Sequence, residues 1–401
     1  MHDDFLVQLQ PRILAGQLRF RSTMKRLVQL SRPDLFEILS AHEGDAFLEP
    51  LAFLSFSLNQ PTSNLDQIFA GYLVCNDLSS RLTISTESDG SCYVPGLGYF
   101  TTDQKNSKLE LAVSANRGSM YLEHRGTVVP YDLEPVVRLS ETSIELIQRP
   151  VGLLANCFVS EGNSITVEIS KAAAAHAANL AKAVTIISRL WPTLYQALIQ
   201  TVRGVVLFHS GEMNSFATTT AHGMAFINTS LGDNEVFFVE DIAHQCGHII
   251  FSAASVDAAE AFIMSPATPL AVFNGQSEDQ RSIYVVLHGV FTEALMAKCL
   301  DACLTEQVFD ASRQHELQGR LAFIMRRFAA DLRNISRSGI LSTQGEDLVH
   351  ALYVVWTEIM IRRREMIDAC DFSGQSYNFC YRTFAEQNSI FETQALERGT
   401  S

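Results

Sequence analysis

Along this chain the rhythm of apolar positions changes twice. Over residues 24 to 58 they recur at helical spacing, and Ser31-Arg-Pro-Asp34 reads as a helix start with Pro33 near its first turn. From about 70 to 167 the pattern becomes short β-rich runs separated by Gly, Asn, Asp and Pro: YLVC, RLTIST, CYVPGLGYFTT, KLELAVSA, SMYLEH, TVVPYD and SIELIQ, which predict strands. Near Ile165 it flips again. EISKAAAAHAANLAKAVTIISRLWPTLYQALIQ has apolar spacing of three and four, interrupted at Pro192, and predicts one long helix or two in succession.

Two strand-like segments follow, VRGVVLFHS and HGMAFINTS, and then DNEVFFVEDIAHQCGHIIFSAAS, a helix that Asp233 or Asn234 can cap. Ser277 with Gln280 forms a capping box ahead of QRSIYVVLHGVFTEALMAKCLDACL, and Thr343 with Glu346 repeats the signal before GEDLVHALYVVWTEIMIRRREM. The fold class expected is α+β, with a β-rich segment in the N-terminal half and a mainly helical C-terminal half. The boundary is placed near 165, giving a 1–165 helical plus β-rich region, a candidate for peptide recognition, and a 166–401 metal-binding catalytic region. No internal repeat or low-complexity tract is visible.

Composition narrows the function classes. With 401 residues, 47% hydrophobic and 18% charged, the chain can bury a core. A net charge of -14, spread rather than blocked, argues against nucleic acid or an anionic membrane and favours a basic or neutral partner. The start MHDDFLVQLQPRILAG lacks the positive charge of a signal peptide, and no apolar run reaches the roughly 18 residues of a membrane span, so a soluble, cytoplasmic protein is expected. The 8 cysteines contain no CxxC pair, which predicts neither a disulfide framework nor a cysteine zinc site but small buried apolar residues. GLG at 96 to 98 lacks dinucleotide spacing, and IRRREM at 361 to 366 reads as a solvated helix face with no assigned role.

The chemistry concentrates in HQCGH. On a helix His244 and His248 lie one turn apart on one face, with Glu240 a turn earlier, so both imidazoles can serve one metal ion. A hydrogen-bonded core pair is the competing reading. Gln245 stands where a zinc protease keeps the glutamate that takes a proton from metal-bound water, and an amide cannot take that proton. Metal ligation is thereby separated from hydrolysis, within the strand-then-metal-helix order of a zincin-like site. His209, His222 and the TTTAHG stretch precede this helix; a strand there could line a peptide groove by β-augmentation, or be an ordinary core strand and loop.

The segments EDIAHQCGH, RSIYVVLHGVF and, more weakly, LSTQGEDLVHAL resemble the HExxH-motif peptide-modification family over patches of roughly residues 200 to 360. That family comprises iron- and 2-oxoglutarate-dependent hydroxylases of ribosomally made peptides in natural-product pathways. The resemblance implies iron(II) and 2-oxoglutarate as cofactors, with zinc as the alternative metal, and a precursor peptide as partner. It places Glu240, His244 and His248 on the motif's positions, with Gln245 departing from the motif's glutamate. It also places Arg281, seven residues before the histidine of LHG, on the co-substrate. If Arg281 to His288 spans two helical turns, the two share a face within about 20°, while Glu293 is rotated roughly 140° from His288. His288 is therefore the expected third ligand and Glu293 the second choice, with Glu260 and Glu278 as rivals because the commoner iron site has two histidines and a carboxylate. The alternatives are a zinc metallopeptidase-like hydrolase with Glu240 as base, or a catalytically degenerate peptide-binding protein.

Overall fold

Pro33 begins a helix, where its fixed φ and missing N–H are favourable, and the N-terminal stretch is helical as its spacing predicts: α1 (Phe5–Ser31), α2 (Pro33–Ser40), α3 (Pro50–Ser57) and α4 (Pro61–Cys75). The structure is a computed structural model describing residues 4–40, 45–58, 61–75, 81–113, 120–337 and 339–388. One expectation fails here. YLVC, residues 72 to 75, closes α4 instead of forming a strand. Leu65, Ile68, Phe69 and Leu73 are all buried, and this helical stripe outweighs the local β preference of the run.

The β-rich stretch supplies β1 (Arg81–Ser85), β2 (Ser91–Val94), β3 (Gly98–Thr101), β4 (Lys108–Val113), β5 (Met120–His124), β6 (Thr127–Val129), β7 (Asp132–Pro135), β8 (Val137–Arg138), β9 (Glu145–Ile147), β10 (Val159–Ser160) and β11 (Asn163–Ser164). Of these, β8, β10 and β11 are too short to carry a readable alternation. Ser114, Ala115 and Ser119, at the ends of two predicted strands, lie outside the described residues. Antiparallel sheets run β1-β4-β5-β6 and β2-β3-β7. GLG makes the β2–β3 turn: Gly96 and Gly98 have φ of 80° and 128°, and a Cβ on Gly98 would lie 2.0 Å from the Glu134 carbonyl oxygen, so only glycine fits.

As predicted, the alanine-rich region breaks at Pro192, giving α5 (Ile169–Leu190) and α6 (Pro192–Thr201). Then β12 (Gly204–Phe208), β13 (Phe216–Ala217) and β14 (Met224–Asn228) join a sheet of order β13-β14-β12-β9-β8. Because β12 pairs in parallel with β9, Gly204 opposite Glu145, residues 199–231 belong with the first part of the chain. The compact units are accordingly Ala15–Ala177 with Ile199–Leu231, and Met1–Leu14 with Ala178–Leu198 and Gly232–Ser401, a division that differs from a single cut near 165. In the first of these units β14 lies between β12 and the edge strand β13, which pairs with it at Ala225 and Phe226. His222 is buried, with its Nε2 3.1 Å from Gln17 Nε2, and His209 Nδ1 donates to the Thr229 carbonyl oxygen at 2.6 Å.

The second unit is helical over its long run: α7 (Glu235–Ala254), α8 (Ala271–Asn274), α9 (Ile283–Thr305), α10 (Ala311–Ile335), α11 (Thr343–Ala369) and α12 (Tyr381–Gln387). The last long helix is capped by Ser342, whose Oγ accepts from Gly345 N, one residue before the predicted capping Thr343. Its core is α9, which packs on α7, α10 and α11. Among the described residues α9 is the one helix long and apolar enough to cross a membrane, and 72% of its apolar window is buried inside the protein. This corrects the reading that no apolar run is so long; here neighbouring helices cover the apolar surface. The arginine run of α11 is partly a tether for that core: Arg362 and Arg363 donate to the buried Asp301 of α9 at 2.7 and 2.8 Å, while Arg364 pairs with exposed Asp368. The described cysteines are free thiols; Cys92, Cys246, Cys299, Cys303 and Cys370 are buried. The fold class is α+β as the sequence indicates.

Candidate metal centre

Asn234 caps α7, its side-chain oxygen accepting from Val236 N at 2.8 Å, and the helix carries HQCGH in its second half. His244 and His248 lie one turn apart with ring centroids separated by 4.8 Å. Gly247 faces α9: a Cβ there would sit 2.8 Å from Leu295 Cδ1 and 3.2 Å from Thr292 Cγ2. The glycine inside the motif thus sets how closely α7 approaches α9, and that approach brings His288 within 4.4 Å of His248, ring to ring. Gly247→Val should overpack this contact and cost about 1–3 kcal/mol, read as a shift of the urea midpoint. An unchanged midpoint would mean that Leu295 simply swings aside.

The three imidazoles therefore form a file, His244–His248–His288. Its outer member has a side chain 35% exposed, and its inner member packs against Phe251 and Tyr284 at 4.7 and 5.6 Å. Burial, reinforced by the His244 and His288 rings, holds His248 well below the ordinary histidine range. Burial likewise pushes His288 down to about 4. Both are neutral at neutral pH, the form that has a lone pair to give a metal.

Three imidazoles make a donor set suited to iron or zinc, so the residue types fit a metal. The ring nitrogens are not yet aimed at one point. His288 Nε2 lies 3.3 Å from the His248 carbonyl oxygen, and among the described residues no group of three or more His, Cys, Asp or Glu side chains is placed so that it could hold a metal ion.

Gln245 is 1% exposed, and its role is visible. Its amide nitrogen lies 3.2 Å from Asp241 Oδ1 and 3.0 Å from His244 Nδ1. An amide has two hydrogens, so it can donate to both, which leaves a neutral His244 ring with its hydrogen on Nε2 and no free lone pair; a glutamate would instead face the Asp241 carboxylate with like charge. Gln245 Oε1 and Asp241 Oδ2 are buried without a hydrogen-bond partner. The residue in the place of the missing base is therefore hydrogen-bonded to the first histidine, and a metal on His244 would require that contact to be exchanged.

Glu240 is committed elsewhere. Its carboxylate accepts from Arg320 Nη1 at 2.9 Å, and Arg320 also holds Glu316 at 2.7 Å. The guanidinium lies over the Phe237 and Phe379 rings at 5.5 and 5.1 Å. Burial raises the Glu240 pKa, with Arg320 opposing. Sequence reasoning missed this triad; the Glu316–Arg320 spacing of four on one helix was the available signal.

Arg281 departs from its predicted place. α9 is capped by Ser282, whose Oγ accepts from Val285 N, not by Ser277, so Arg281 precedes the helix and the two-turn alignment with His288 does not apply. Its guanidinium is bonded to Asp279 through Nε at 2.9 Å and to Asp331 through Nη1 at 2.9 Å. The rival carboxylates stand apart in kind: Glu260 pairs with Arg12, Glu278 is exposed, and Glu293 is buried with Arg327 Nε 3.8 Å away. Burial, with Asp331 adding repulsion, pushes Glu293 up to about 8.

Compared with models of known protein families and with curated proteins, the chain matches none.

Proposed function

We propose that the protein is an iron(II)- and 2-oxoglutarate-dependent oxygenase that hydroxylates a side chain of a ribosomally made peptide, with His244, His248 and His288 holding the metal. The observation that carries this reading is the file of imidazoles from two helices, neighbouring rings 4.8 and 4.4 Å apart. A ferrous ion bound there would, with 2-oxoglutarate and dioxygen, supply the chemistry for hydroxylation: one oxygen atom goes to succinate as the oxo acid loses carbon dioxide, the other into the C–H bond. The chain's part is to bind and orient: Gln245 must release His244 Nδ1 before that ring can hold the metal, and Phe251 and Tyr284 pack against the inner histidine. For Arg281 to meet the far carboxylate of the oxo acid, it must exchange Asp279 or Asp331 for it.

Protein purified anaerobically and loaded with ferrous iron should bind the metal stoichiometrically and, once dioxygen is admitted, convert 2-oxoglutarate to succinate with a 16-mass-unit gain on the peptide. His248→Ala and His288→Ala should lower metal affinity by more than the roughly 10–100-fold typical of losing a supporting residue. Metal content unchanged in both variants would end the proposal. Zinc with peptide cleavage would make it a hydrolase instead, although Glu240 is tied to Arg320. The doubly paired Arg281 favours, as second reading, a degenerate peptide-binding protein; that reading predicts peptide binding without succinate formation.

A further inference from the structure

Three neighbouring side chains of α7 meet through a single amide. Gln245 Nε2 lies 3.2 Å from Asp241 Oδ1 and 3.0 Å from His244 Nδ1, and His244 Nδ1 stands 3.6 Å from the same Asp241 oxygen. The amide is fixed in this sense by Asp241. Turned over, it would set its own oxygen against a carboxylate oxygen with no hydrogen between them. The direction of donation, and with it the place of the hydrogen on the His244 ring, is therefore decided by a residue that the ring does not yet bond.

This arrangement leaves acceptors unused. Asp241 Oδ2 and Gln245 Oε1 are buried with no hydrogen-bond partner, and a buried oxygen without a donor costs stability. His244 becomes a donor to this group once its hydrogen sits on Nδ1 instead of Nε2. The side chain is 35% exposed, so water can take the one proton and return the other, with no net change of charge. Closing the 3.6 Å gap to hydrogen-bond length then needs a shift of less than 1 Å.

We propose that Asp241 is the positioning residue of the first histidine: when the Gln245 amide releases Nδ1, Asp241 accepts the Nδ1 hydrogen, and Nε2 is left with the free lone pair that a metal requires. A carboxylate behind a ligating imidazole fixes the tautomer and strengthens the donor nitrogen. Gln245 thus holds the tautomer that cannot bind, and Asp241 holds the one that can. The inference rests on the metal-binding reading for what Nε2 meets, whereas the exchange of hydrogen belongs to the metal-free chain as well.

Two-bond proton–nitrogen NMR of the histidine rings reads the tautomer directly, with His244 assigned from the signal lost in His244→Ala. In the full chain at pH 8 with a chelator present, His244 should carry its hydrogen on Nε2. Gln245→Leu removes the competing donor at similar volume and should move the hydrogen to Nδ1; Asp241→Ala added to it should send the hydrogen back. Zinc, a diamagnetic stand-in for iron, should bring wild-type His244 into the Nδ1–H form. In the Gln245→Leu background, Asp241→Ala should weaken zinc binding about tenfold or more while leaving the metal-free melting temperature unchanged. If that melting temperature falls, the tautomers of the wild-type chain with and without zinc still decide. Hydrogen on Nδ1 in the metal-free wild type, an Nε2–H form persisting in Gln245→Leu, or an Nδ1–H form surviving the loss of Asp241 would overturn the proposal. The expected tautomers in a chain that binds no zinc would uphold Asp241 as the acceptor and end the metal-binding reading alone.

Discussion

Arg320→Ala is expected to destabilise the helical unit by about 3–5 kcal/mol, the scale of removing one partner from a buried ion pair. Arg320 is 6% exposed and bonds Glu240 and Glu316, which are also shielded from water. Without it two carboxylates face each other in low dielectric, and each must take up a proton or repel the other. For a unit of this size the loss corresponds to a melting temperature roughly 6–20 °C lower. The control is the triple change Arg320→Met, Glu240→Gln, Glu316→Gln, which removes all the charges together and should restore most of the loss. A single variant within about 1 kcal/mol of wild type would show that the triad carries no such burden.

Glu293→Gln is expected to act in the opposite direction, and only at high pH. The folded pKa is raised from 4.5 to about 8, so the fold prefers the protonated acid. That preference contributes fully below about 4.5 and is lost as pH rises through about 8. At 1.36 kcal/mol per unit the loss is on the order of a few kcal/mol. Glutamine keeps the shape and remains neutral, so the variant should be the more stable protein at pH 9 and gain no advantage at pH 5. Urea melts across that range decide it; parallel curves for variant and wild type would mean that Glu293 titrates normally. Some downward slope should survive in the variant, because Glu49 is shifted the same way.

Periodicity made the long helices legible, since burying one face is what holds them. α7 and α9 fall on their apolar spacing, and HQCGH with LHG pointed to imidazoles that do lie side by side. Helix starts were less legible. Ser277 and Ser282 both offer a hydroxyl, and which one meets a free backbone N–H depends on where the preceding loop is held, here by Pro269 bridging to Ser282. A five-residue error at that cap is enough to move Arg281 off the histidine face and onto Asp279 and Asp331. YLVC was misread because strand preference is local, whereas the burial of Leu65 through Leu73 is decided by the rest of the unit. Glu240 looked available because nothing local announces a partner eighty residues away.

The covering of α9 bears on how the chain must be made. Its apolar sides rest partly on α10 and α11, which leave the ribosome later, so for the time taken to synthesise residues 311–369 this helix has only part of its shelter. A nascent chain at that stage presents the kind of surface that holding chaperones and membrane insertion machinery both recognise. Chains ending near residue 310 should therefore aggregate or partition into membranes, while chains ending after α11 should not.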